Sequence, residues 1–129
     1  MPAIMSNYLS NNLANATLRN TSYTSPAAVY VALYSTAPTA STAGTELTGN
    51  SYSRQSVTFS APSAGAASSN VAVSFGPATG NNWLTVKAMA IVDASTSGNI
   101  LYFQTTTNQN VLIGKTLTYG SGNITITLT

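Results

Sequence analysis

LRNTSYTSPAAVYVALY, Leu18 to Tyr34, carries the chain from a short helical start into its first strong strand. Pro26 disfavours helical geometry at Ser25 and launches an extended run from Val29 to Tyr34. In that run Val29, Val31 and Leu33 alternate with Tyr30, Ala32 and Tyr34, so both faces are apolar. A strand without a polar face must be covered on both sides, which predicts a central strand in a layered β fold.

Upstream, Ser6 is placed to cap a helix over about Asn7 to Leu18. Tyr8, Leu9, Leu13, Ala16 and Thr17 fall on one side of it at three- and four-residue steps. The stripe is narrow, and Asn7, Asn11, Asn12 and Asn15 are poor helix formers, so the helix needs its Leu13 face docked on its own sheet or on another subunit. Arg19 at its end suits the negative pole of the helix dipole.

Downstream, Ser35 to Asn50 lacks periodicity and reads as a long loop. Tyr52 to Phe59 reads as a half-buried strand, with Val57 and Phe59 inward. Ala61 to Ser69 reads as a flexible connection, and Val71, Val73 and Phe75 share one face of the next strand. After a turn over Gly76 to Asn82, Trp83 opens what reads as the longest strand. Leu84, Val86, Ala88, Ala90 and Val92 lie on one side of it, with Thr85, Lys87, Met89 and Ile91 on the other. Asp93 to Asn99 is a hairpin loop returning in Ile100 to Gln104. Val111 to Ile113 and Thr116 to Tyr119 follow, and a turn at Gly120 to Asn123 leads into Ile124, Ile126 and Leu128 alternating with threonines. About seven strands after one short helix predict a mainly β chain, an antiparallel β-sandwich or jelly-roll-like barrel. One domain is expected over residues 1–129, with the helix at about 7–18 and the β region from about 27.

Charge is the compositional outlier. Arg19, Arg54, Lys87, Lys115, Glu46 and Asp93 make 5% of the chain, against about 25% in ordinary soluble domains. A surface solvated by hydroxyls and amides has weak self-repulsion and suits a subunit held among neighbours. Four scattered cations form no phosphate-binding patch, so nucleic acid is not an expected partner. The start lacks a signal-peptide pattern, and no run approaches the roughly 18 apolar residues of a membrane span, so no membrane partner is expected either.

Reaction chemistry is hard to build from this composition. Without histidine or cysteine there is no imidazole base, thiolate or usual metal-ligand set, and no cofactor or metal is expected. Glu46 and Asp93 fall in separate predicted loops, which argues against a paired-carboxylate glycosidase and predicts a non-enzyme. The residues singled out are interface candidates: Tyr8, Leu9, Leu13 and Arg19 on the helix, Tyr23 after it, and Tyr52, Arg54 and Trp83 in the β region. Trp83, at a strand start after a polar turn, reads as either a core edge or an exposed stacking ring. Arg54 reads as either an interface hydrogen-bond donor or the solvated residue of a strand face.

Three stretches carry a resemblance: NYLSNNLANATLRNTSYTSPAAVYVALYSTAPT, GTELTGNSYSRQSVTFSAPSAG and IVDASTSGNILYF. Together they are similar to small tailed-phage virion proteins labelled tail fibre proteins. The resemblance implies a small β-rich virion subunit assembled in a host cytoplasm. With no shaft repeats and no carboxylate site, the preferred expectation is a capsid cement or decoration protein. It would be a homo-oligomer bound to other virion proteins, the major capsid protein foremost. A tail fibre or baseplate component is the alternative, and a carbohydrate-binding adhesin using Trp83 and Tyr52 is the rival of a different class.

Overall fold

The computed structural model describes residues 3–128. Its strands are β1 (Ile4–Met5), β2 (Val29–Thr36), β3 (Thr45–Glu46), β4 (Gln55–Val57), β5 (Ala66–Ser68), β6 (Val73–Phe75), β7 (Val86–Val92), β8 (Ile100–Gln109), β9 (Leu117–Tyr119) and β10 (Thr125–Thr127). The single helix among the described residues, α1 (Asn7–Leu18), has the predicted bounds. Ser6 caps it as expected, its side chain accepting from the Leu9 amide at 3.2 Å. The main sheet has the order β1-β8-β7-β2-β3, with β4 also paired to β2, and every ladder is antiparallel. Two ribbons, β5 with β10 and β6 with β9, supply strands opposite this sheet. The mainly β, sandwich-like expectation therefore holds. The additional strands are β1, β3 and β5, of two, two and three residues, too short to show a period in sequence.

Strand β2 is central and covered on both faces. Val31 and Leu33 enter the main core with Val57, Val73, Phe75, Met89 and Ile91, while Ala32 and Tyr34 enter a second cluster with Ala88, Ala90, Val92 and Phe103. Burying each large apolar side chain contributes about 1.5–3 kcal/mol, so the residues that make β2 unreadable as an amphipathic strand also hold the layers together. The helix packs on β8 through its first half, where Leu9 is buried. Its entry is pinned by backbone bonds from Ser6 to Leu101 and from Asn7 to Ala40. This is the dock the weak helix needs, made by its own sheet, although the buried anchor is Leu9 and Leu13 is only half-buried.

Four expectations change. The longest strand is β8, of ten residues, which continues well past Gln104. In β7 the face assignment reverses at a bulge between Val86 and Ala88: Val86 joins Met89 and Ile91 in the main core, and Ala88, Ala90 and Val92 line the other face. Here β8 takes four steps, Gln109 to Thr105, against two of β7, Val86 to Ala88, an irregularity of pairing that a strict two-residue period cannot anticipate. Trp83 does not open this strand: β7 begins at Val86, and ahead of it Leu84 projects outward beside an inward Trp83. Finally, the Ala61–Ser69 stretch is not a flexible connection but a tight hairpin, in which Ser63 and Ala66 exchange N–H···O bonds of 2.9 and 3.0 Å.

The two residues at that hairpin's tip, Ala64 and Gly65, are both left-handed, with φ of 52° and 78°. Gly65 is required there, because a Cβ would lie 2.8 Å from the Leu128 carbonyl oxygen. Ala64 carries the steric cost of a left-handed L-residue, about 1–2 kcal/mol, whereas asparagine adopts that conformation more readily. Ala64→Asn is expected to raise stability by about 0.5–1 kcal/mol, read as a higher urea midpoint at unchanged slope. A lower midpoint contradicts this turn assignment.

Candidate functional site

The most organised polar cluster is built around Tyr52. Along the edge away from β7, β2 is paired first by β4, from Val29 to Val31, and later by β3, at Tyr34 and Thr36. Between these partners the Leu33 amide donates to the Tyr52 hydroxyl at 2.9 Å, and the Leu33 carbonyl accepts from the Leu47 amide at 3.0 Å. A side-chain hydroxyl thus stands where a strand's carbonyl would. The Tyr52 hydroxyl donates in turn to Glu46 Oε2 at 2.7 Å.

Arg54 closes the cluster. Its Nε and Nη2 donate to Glu46 Oε2 and Oε1 at 2.9 and 2.8 Å, a bidentate pair with both side chains mostly buried. Its Nη1 donates to the carbonyls of Ala94 and Ser97 at 2.8 and 2.7 Å, tying the β7–β8 loop to β3 and β4. Asp93 holds the same loop by accepting from the Asn99 backbone and side chain. Arg54 is thus an internal clamp.

Burial pushes the Glu46 carboxyl up, but hydrogen bonds from Arg54 and Tyr52 with the Arg54 charge outweigh it and hold the carboxyl below its ordinary value. The Tyr52 hydroxyl is pushed well up, by burial first and by the hydrogen bond to Glu46 among lesser causes. Burial, then the Glu46 charge, raises Tyr34 to about 12. Both phenols are held neutral at ordinary pH, and that of Tyr52 is fixed as donor to Glu46 and acceptor from Leu33.

Trp83 is 6% exposed. Its Nε1 donates to the Asn50 carbonyl at 2.8 Å, and its ring meets Tyr52 edge-on at a centroid distance of 5.6 Å. Tyr52 also stacks on Phe75 at 6.3 Å. Trp83 is thus a core edge, and neither ring forms the open stacking platform that an adhesin would use.

The remaining candidates gather near the helix. Tyr8 is exposed, Leu9 buried, Leu13 half-buried, and Arg19 is the exposed C-cap residue. Tyr23 is half-buried in the irregular segment after the helix, and its hydroxyl is raised by burial, then by neighbouring Tyr8 and Asp93. The candidates thus divide into a helix group around Tyr8 and Tyr23 and a clamp of Tyr52, Arg54 and Trp83. Sequence reasoning missed Glu46 as the centre of the clamp, because it stood in an aperiodic stretch. The signal available was arithmetic: two acids among six charges make an ion pair with Arg54 a leading possibility.

A family model described as Podophage GP4 fiber I protein gp80 matches residues 4–127, nearly the whole chain. The chain belongs to this phage fibre protein family. It is accordingly a virion protein of the tail-fibre type, as the sequence resemblance implied. No curated protein matches it.

The clamp makes a pH prediction. A carboxyl whose folded pKa is depressed contributes stability that is complete above its unfolded value, about 4.3, and lost as pH falls through the folded one. Glu46→Gln is expected to cost about 1–3 kcal/mol at pH 7 and to narrow its deficit against the parent as pH falls below about 4.5. Denaturant melts of the two proteins across this range check it. Equal stability at pH 7 contradicts the clamp.

Proposed function

We propose that the protein is a non-enzymatic structural subunit of a virion fibre, a single β-rich unit that works by binding other virion proteins. The family match over residues 4–127 carries this reading. Composition and length suit a capsid cement or decoration protein equally well, and the fibre description of the family tips the preference to the tail. The chemistry of the clamp supports a structural role. Both Glu46 oxygens are engaged by Arg54 and Tyr52, so this carboxylate is committed to holding strands. The adhesin reading loses its two rings to the core, at Trp83 and Tyr52.

Gold-labelled antibody against the purified protein, imaged on intact particles, tests the assignment. Label on tail appendages is expected. Label spread over the head overturns the fibre reading in favour of the capsid surface.

A further inference from the structure

The two ends of the β7–β8 hairpin carry complementary surfaces. At one end, where β2 begins and β7 finishes, the sandwich opens into an apolar groove of about 250 Å³. Val29, Phe59, Pro62 and Leu128 are among its walls, with buried Ile91 and Leu101 beneath, and no charged side chain lines it. Leu101 is directed there by a second bulge, which skips it in the pairing between Ile91–Tyr102 and Val92–Ile100. At the other end, past Val86 and Gln109, three aliphatic side chains stand in solvent: Leu84, Leu112 and Ile113, at 67%, 51% and 55% exposure. They are held by ordered backbone, since Trp83 N–H donates to the Val111 carbonyl and Ile113 N–H to Asn82 Oδ1. Inward Trp83 and Val111 turn their neighbours Leu84 and Leu112 outward. The ends lie about 20 Å apart along the seven residues of β7.

Size and charge match the two ends to each other. A cavity of about 150 Å³ accepts one benzene, and drug-sized ligands need roughly 300–1,000 Å³, so this groove suits one or two aliphatic side chains presented from outside. With Arg54 and Glu46 neutralising one another, Lys87 and Lys115 flank the aliphatic end, and Asp93 follows β7 at the groove end. The geometry points to a second copy of this chain as the occupant: the Leu84–Leu112–Ile113 end of one copy enters the groove of the next. The contact joins two different surfaces, so it repeats head to tail and generates a row or ring of subunits, unlike a two-fold dimer. It takes the fibre reading one step further by naming a partner, and rests on that reading only for where the contact is used. A contact this small is weak in isolation and gains strength from the local concentration of an assembled particle.

The absence of cysteine makes a direct test available. Leu84→Cys and Leu128→Cys, each at an exposed position, are purified separately, checked for parental melting, mixed in equal amounts and treated with a mild oxidant. Where either variant melts early, Leu112→Cys and Pro62→Cys take their places. The expected result is a cross-linked heterodimer at least ten-fold more abundant than either homodimer. A heterodimer at or below about twice each homodimer, the ratio of random collision, overturns the inference, as does a dominant homodimer of either variant. The measurement uses purified protein, so its outcome is independent of where antibody binds on the particle.

Discussion

The Leu33 amide sits in the most deeply buried stretch of the central strand, yet its partner is a phenol. A buried N–H without an acceptor costs about 1–3 kcal/mol, so the break between β4 and β3 along the edge of β2 must be closed by something. Tyr52 closes it, and everything nearby is arranged to keep that hydroxyl in place. Glu46 accepts its hydrogen bond, Arg54 neutralises Glu46, and the same guanidinium holds the β7–β8 loop. Phe75 and Trp83 fix the ring itself. One chain of hydrogen bonds thus runs from the core of the main sheet to its far loop.

Low charge gives this arrangement a second consequence. Once Arg54 and Glu46 are paired, Arg19, Lys87, Lys115 and Asp93 are the side-chain charges left to shape the outer surface. Such a surface exerts little long-range steering and repels its own copies weakly. The proposed contact between copies then rests on shape and apolar area, at the groove and at the Leu84 end. That is a useful property for a virion subunit, which meets its neighbours at high local concentration.

The sequence is legible where side chains obey a period. Val29 to Tyr34 announces a doubly covered strand, and Ser6 with the Asn7 to Leu18 stripe announces a helix of the observed bounds. It becomes illegible where pairing is short or irregular. Strand β3 has two residues, and its Glu46 is held by Arg54 eight positions later. The irregular pairing beside Lys87 separates Val86 from Ala88, Ala90 and Val92, and Trp83 and Leu84 stand ahead of β7, so one alternation counted from Leu84 could not place them all. Tyr52 looked like any sheet-face tyrosine, because nothing local marks a hydroxyl that will replace a backbone acceptor. These are tertiary facts, set by which distant segment arrives at an edge.

The claim most exposed to test is that the Tyr52 hydroxyl completes the β2 ladder. Amide hydrogen exchange, resolved by NMR at Leu33 in the parent and in Tyr52→Phe, reads it at the atom concerned. The predicted result is a Leu33 amide protected like its neighbours Val31 and Ala32 in the parent, and at least ten-fold less protected relative to them in the variant. Fast exchange at Leu33 in the parent, or protection unchanged without the hydroxyl, would contradict the account.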